Sequence, residues 1–197
     1  MPAADERAFV VQLKEGDTKA FTRLVLEHQD RVFSYLVRML GNRQEAEEVA
    51  QEVFIAAFRF IGGFRGESGL STWLLRIASN MYKNRIRHNV RRKRSRESSI
   101  DDRIERADYR PIGERPDNPE AIVAGKQAEE ALHRAIAKLP EDFREVLVLR
   151  DIDLLAYSEI HELTGLPEGT IKSRLHRARS QLAKLMTTYL EGERRKR

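Results

Sequence analysis

Apolar residues recur at helical spacing through almost the whole chain, and no stretch alternates convincingly in the two-residue rhythm of a strand. Between Ala20 and Leu40 they fall at Phe21, Leu24, Val25, Val32, Leu36 and Leu40. This pattern confines the chain to an all-α fold. Gly41 closes the segment, and Asn42 with Glu45 three residues on reads as a capping-box start for the next helix. That helix is predicted over residues 44–60, turning Ala46, Val49, Ala50, Val53, Ala57 and Phe58 inward. The loop GGFRGESG (62–69) follows. A third helix is predicted over residues 70–90, with Leu70, Leu74, Ile77 and Met81 on its inner face.

The composition then changes. Residues 91–96 read RRKRSR, five bases in six, and residues 98–120 carry three prolines and few large apolar side chains. Such a segment reads as an extended or disordered linker. Helical spacing resumes near Glu120 and runs to Leu139, where Pro140 breaks it. Short helices are predicted over 141–150 and 157–164, and a long one over 168–187. The expected architecture is two helical domains, 1–92 and 120–190, joined by a flexible linker (93–119) and followed by a basic tail (191–197).

The net charge of +5 favours anionic partners, nucleic acid before membrane surface. There is no cysteine, so disulfides, a thiol nucleophile and cysteine-based zinc sites are excluded. The longest apolar run, FIAAF (54–58), falls far short of the roughly 20 residues that span a bilayer. The first ten residues have no apolar core of signal-peptide length. A soluble, cytoplasmic protein without membrane insertion is expected.

Within LPEGTIKSRLHRARSQL (166–182), four bases, Lys172, Arg174, Arg177 and Arg179, crowd into eight residues. At ~100° per residue, Leu175, Ala178 and Leu182 fall within about 40° of Ile171 and form a stripe for burial. Lys172, Ser173, His176, Arg177 and Ser180 cover the opposite arc, with Arg174 and Arg179 at the flanks. Upstream, Ile160 and Leu163 give a short helix its own apolar face. Gly165 marks a sharp turn and Pro167 launches the next helix. A short helix, a three-residue turn and a longer basic helix make a helix-turn-helix, whose second helix enters the major groove. Its Lys and Arg side chains can donate to guanine edges, and its hydroxyls can reach bases or phosphates.

The stretch SEIHELTGLPEGTIKSRLHRARSQL (158–182) resembles the region that reads the minus-thirty-five promoter element in bacterial sigma factors of the extracytoplasmic-function group. NRQEAEEVAQEVFIAAFRFIGGFRGESGLSTWLLRIASNMYKNRIR (42–87) resembles the same family's second region. Two departures stand out. Ala156 occupies the place of a capping Ser, leaving Ser158 as the next candidate cap. His161 occupies the place of a small residue, where it must point outward or loosen the packing of the two helices.

The resemblance implies a division of labour. RNA polymerase core enzyme is the expected partner of the acidic face after Asn42, through Glu48, Gln51 and Glu52. An acidic face in a basic protein suits a basic protein partner. On the third helix Trp73, Arg76, Asn80, Lys83, Asn84 and Arg87 share one face. With Arg65 and Ser68 of the preceding loop, they are implied to hold the minus-ten element as single-stranded DNA. An aromatic among bases and amides suits that task, although Trp73 is equally readable as core. Thr170, Lys172, Ser173, Arg174, His176 and Arg177 are implied to read the upstream element as duplex. An anti-sigma factor is an implied partner. The linker acids Asp101, Asp102, Glu105, Asp108, Glu114, Asp117 and Glu120 are implied to pass near the polymerase active-site channel.

No catalytic constellation emerges. GGFRGESG lacks the Gly-Lys-Ser/Thr ending of a phosphate loop and no strand precedes it. His161-Glu162 begins like a zinc-protease helix, but Gly165 stands where the second histidine is needed. No metal, cofactor or small-molecule substrate is expected, and the chain reads as a non-enzyme. The competing reading is a two-domain helix-turn-helix regulator that binds operator DNA without polymerase. A third is a nucleic-acid-associated structural protein without promoter selectivity. A regulator's first domain should carry strands or a ligand pocket, and residues 20–90 suggest neither.

Overall fold

Asp17 starts the 23-residue helix Thr18–Leu40 by accepting backbone hydrogen bonds from Lys19 (2.7 Å) and Ala20 (3.4 Å). The computed structural model describes residues 4–96, 128 and 130–194. Its elements are α1 (Ala4–Lys14), α2 (Thr18–Leu40), α3 (Arg43–Phe60), a 3₁₀ turn (Ile61–Gly63) and α4 (Leu70–Arg96). They continue as α5 (130–137), α6 (Glu141–Leu147) with a π-helical turn (Val148–Ile152), α7 (Tyr157–Thr164) and α8 (Glu168–Arg194). No strand occurs among the described residues, so the all-α class holds. The chain divides into two units, Met1–Arg106 and Ala107–Arg197. The predicted linker acids, Asp101 to Glu120, lie outside the described residues.

In the first unit α2, α3 and α4 pack on one another. Leu24, Tyr35, Leu36, Val49, Val53, Leu74, Leu75 and Ala78 are fully buried between them. Gly41, at φ 71°, closes α2 by donating to the Val37 carbonyl (2.9 Å). Asn42 caps α3 by accepting from the Glu45 amide (2.9 Å). Two predicted core faces are corrected. Phe58 is 52% exposed, its ring set edge-on against Phe21 at 5.0 Å, and Ala56 takes the inward place. On α4 the buried set is Leu70, Leu74, Leu75, Ala78 and Tyr82, with Thr72 and Ser79 buried beside them, while Ile77 and Met81 are only half-buried. The true stripe is therefore rotated by about 90° from the predicted one.

The second unit packs α6 and α7 on α8. Arg144 donates to the Leu139 carbonyl (2.9 Å), meeting an acceptor that the end of α5 leaves open. The π-turn ends on bonds from Asp153 to the Val148 carbonyl (2.9 Å) and from Leu155 to the Leu149 carbonyl (3.0 Å). Between those two residues Leu154 has a left-handed backbone (φ 59°) and is 77% exposed.

Candidate nucleic-acid interface

The helix-turn-helix is assembled from local bonds. Thr164 bonds backward and forward, donating from Oγ1 to the Ile160 carbonyl (2.6 Å) and accepting from the Leu166 amide (3.2 Å). Gly165 takes a left-handed φ of 73° and donates to the His161 carbonyl (2.7 Å). The Pro167 carbonyl then receives Thr170 (2.8 Å) and Ile171 (3.0 Å), opening α8. Ile160 and Leu163 from α7 are buried, as are Ile171, Leu175 and Ala178 from α8, with Leu182 half-buried.

Both departures in the turn have physical answers. Helix α7 begins at Tyr157 rather than being shortened to a Ser158 cap. Ala156 has no side-chain oxygen, but Glu159 reaches back to accept from the Ala156 amide (2.8 Å), supplying half of a capping box. His161 is exposed, and its Nδ1 lies 2.8 Å from the Leu166 carbonyl. A carbonyl oxygen can only accept, so Nδ1 is the donor in this bond. The imidazole thus points outward and ties the turn.

The bases of α8 are not equivalent. Arg174 pairs with Asp142 of α6 (2.9 Å) and its side chain is 26% exposed. Arg179 makes a two-pronged contact with Asp151 (2.8 and 2.6 Å). These two arginines anchor α8 to its own unit. Lys172 lies 5.3 Å over the Tyr157 ring, whose surroundings also include Arg150 at 4.8 Å, and approaches Glu168 at 3.4 Å. Ser173, His176 and Arg177 are exposed, and Thr170 is half-buried. Five of the six predicted readers, Thr170, Lys172, Ser173, His176 and Arg177, therefore remain on the outer side of α8, and Arg174 is drawn inward.

In the first unit Asn80, Asn84 and Arg87 are exposed, and Trp73, Arg76 and Lys83 are half-buried. This face lies opposite the buried stripe of α4 as corrected above. Trp73 meets Phe64 of the loop at 5.4 Å with planes 62° apart, so part of the indole packs and part faces out. Arg65 is 81% exposed with Glu67 at 3.8 Å, and Ser68 is half-buried. The acidic face of α3 holds a contact that sequence reasoning missed. Arg85 of α4 reaches Glu52 (2.9 Å), Glu48 (3.4 Å) and Glu45 (3.9 Å), and Asn89 donates to Glu45 (3.0 Å). Glu48 and Glu52 thus lie along the α3–α4 seam, while Gln51 is exposed. Among the described residues no cluster of His, Asp and Glu is placed to hold a metal ion, and no helix is long and apolar enough to cross a membrane.

Residues 24–92 match the family described as Sigma-70 region 2, and residues 129–182 match Sigma-70, region 4. The chain is 36% identical over 185 residues to the RNA polymerase sigma-H factor of Pseudomonas aeruginosa, covering 94% of this chain and 95% of that protein. It is 37% identical over 179 residues to the ECF RNA polymerase sigma factor SigW of Bacillus subtilis, covering 89% and 93%. Against the ECF RNA polymerase sigma-E factor of Escherichia coli K12 it is 36% identical over 179 residues, covering 90% and 92%. The fold is similar to that of the Bartonella quintana sigma factor RpoE, solved with the anti-sigma factor NepR. The TM-score is 0.68 at 22% identity, covering 86% of this chain and 98% of that one. CnrH, solved with the cytosolic domain of CnrY, gives a TM-score of 0.63 at 22% identity, covering 93% and 97%.

Proposed function

Because the chain belongs to the extracytoplasmic-function sigma factors of RNA polymerase, we propose that its two units divide promoter recognition between single-stranded and duplex DNA. The chain is an alternative sigma factor, which directs RNA polymerase to promoters. Sigma factors are initiation factors rather than enzymes. The domain at 1–92 docks on core polymerase and opens the minus-ten element. The segment 93–119 links it to a domain at 120–190 that reads the minus-thirty-five element, and 191–197 is a basic tail. The protein works in the cytoplasm, under the control of an anti-sigma factor.

The reading is carried by two opposed chemistries in one chain whose length matches its relatives. An acidic α3 suits a basic protein partner, and a basic α8 set on a sharp turn suits duplex DNA. Glu48, Gln51 and Glu52 meet polymerase. Arg65, Ser68, Trp73, Arg76, Asn80, Lys83, Asn84 and Arg87 hold the displaced strand. Unstacking costs about 1.4 kcal/mol per step, and each base captured on an aromatic returns roughly 1–3 kcal/mol. Thr170, Lys172, Ser173, His176 and Arg177 read the upstream element, while Arg174 orients α8 through Asp142.

Run-off transcription with purified bacterial core polymerase and a pool of promoter fragments tests the proposal. Defined transcripts should form only when the chain is added. No transcripts, with particular duplexes still bound in the absence of polymerase, would overturn it in favour of an operator-binding regulator.

A further inference from the structure

Arg85 stands on the arc of α4 that faces α3, in line with buried Ala78 and Tyr82 and away from Asn80, Asn84 and Arg87. Its side chain is 24% exposed, and its guanidinium forks toward the acids at the edge of α3. Nη2 donates to Glu52 Oε1 (2.9 Å) and Nη1 donates to Glu48 Oε2 (3.4 Å). Behind them Glu45 lies 3.9 Å from Nη1 and accepts from Asn89, one turn further along α4 (3.0 Å). Glu45 is 25% exposed and belongs to the seam. Glu48 and Glu52, 54% and 53% exposed, belong to the outer face of α3.

The two bonds take one oxygen of each outer carboxylate, so the second oxygen of each can accept from a donor outside the chain. Pairs this exposed return little stability, because long side chains are immobilised to make them. On a docking surface the same immobilisation is useful: acids already fixed do not have to be ordered when a partner arrives. An arginine does this where a lysine cannot, because its planar fork reaches two carboxylates from fixed directions. Glu48 and Glu52 are neighbours one helical turn apart, and a single guanidinium from another helix sets both. We infer that Arg85 is a positioning residue for docking on core polymerase, holding Glu48 and Glu52 as a fixed pair for the basic side chains of the partner. This role rests on the proposed docking through Glu48, Gln51 and Glu52, and adds a residue that acts through two of them.

The test is binding of the full chain to purified core polymerase, followed as association and dissociation rates, with Trp73 fluorescence in urea showing that each variant is folded under the assay conditions. Arg85→Lys keeps the charge and loses the fork, so one of the two acids is released. Ordering one long side chain on binding weakens an interface about 2- to 12-fold, and the dissociation rate should rise by that factor. The association rate follows the charge and should stay unchanged. In an E48Q/E52Q background, where the acids it positions are gone, Arg85→Lys should change dissociation by less than about 2-fold. Equal weakening in both backgrounds would overturn the inference and make Arg85 a support of the fold alone. Tighter binding by Arg85→Lys would also overturn it, by making Arg85 a competitor of the partner. The E48Q/E52Q variant separates the two ideas. If it weakens core binding and Arg85→Lys does not, positioning by Arg85 falls and docking through the acids stands. If it leaves core binding unchanged, the docking role of the two acids falls and takes the positioning role with it.

Discussion

Arg85 offers the sharpest test of how the first unit is held together. Its side chain is 24% exposed, and its guanidinium lies 2.9 Å from Glu52, 3.4 Å from Glu48 and 3.9 Å from Glu45. The Glu48 and Glu52 side chains are about half exposed, so solvent screens both pairs. Exposed pairs contribute about 0.2–1 kcal/mol each, the closest one most and the 3.9 Å contact almost nothing. Arg85→Ala should therefore cost about 0.4–2 kcal/mol. The chain has a single tryptophan, Trp73, in the same unit, so urea unfolding followed by its fluorescence reports on this unit. The midpoint should fall with the slope unchanged. A double-mutant cycle with Glu52→Gln should give a coupling of about 0.5–1 kcal/mol. In 1 M salt, where the Debye length is ~3 Å, that coupling should shrink. A coupling below about 0.3 kcal/mol, within the scatter of independent sites, would refute the claim that the seam is held electrostatically.

Arg177→Ala should cost about 1–3 kcal/mol of discrimination between promoter DNA with the upstream element and scrambled DNA, measured by competition binding. Arg174→Ala should lower stability through Asp142 and leave that discrimination largely intact. Gly165→Ala meets open space but forces a φ of 73° on a residue with a Cβ. It should cost about 1–2 kcal/mol, read by thermal melting together with upstream-element affinity. Leu154→Val places a β-branched side chain at φ 59° and should destabilise the second unit by about 1 kcal/mol or more. Leu154→Gly relieves the strain and should be far better tolerated in the same melt. His28 is held below its ordinary pKa, chiefly by burial and also by Arg31, against Glu27 and Glu6. The unfolded chain therefore binds the proton more readily. Stability from this group is full above the unfolded pKa of about 6.5 and falls as pH drops below it, so His28→Gln should flatten that acid limb in urea titrations.

The helices were legible wherever punctuation and periodicity agree. Asn42, Gly41, Gly165 and Pro167 mark ends that the backbone respects: Asn42 accepts from an amide left open at a helix start, Gly41 and Gly165 donate to carbonyls left open at a helix end, and the Pro167 carbonyl takes the first bonds of α8. The inner face of α4 was not legible. Leu70, Leu74, Ile77 and Met81 make as regular a stripe as Leu70, Leu74, Leu75, Ala78 and Tyr82. What decides between them is that Thr72 and Ser79 can be buried, which local spacing cannot announce. The misplaced Phe58 has a similar origin. Its ring finds a partner in Phe21 on another helix, and that contact satisfies it at the surface. His161 illustrates the reverse case: standing where the resemblance places a small residue, it faces outward and bonds across the turn.

Charge is where sequence and structure part most usefully. The crowding of four bases on α8 reads as a single DNA-facing feature, yet Asp142 and Asp151 claim two of them from positions 32 and 28 residues away. The acidic face of α3 reads as a docking surface, yet Arg85 reaches it across a helix seam. Pairings at such separations leave no mark in local periodicity, so net charge states what kind of partner a unit can attract and not which side chains meet it. A DNA-reading helix must be held at a fixed angle while other charges remain open to the ligand. On α8 the anchoring pairs lie at the flanks of the buried stripe and the exposed bases lie opposite it, so the arginines that orient the helix are not the ones it leaves exposed.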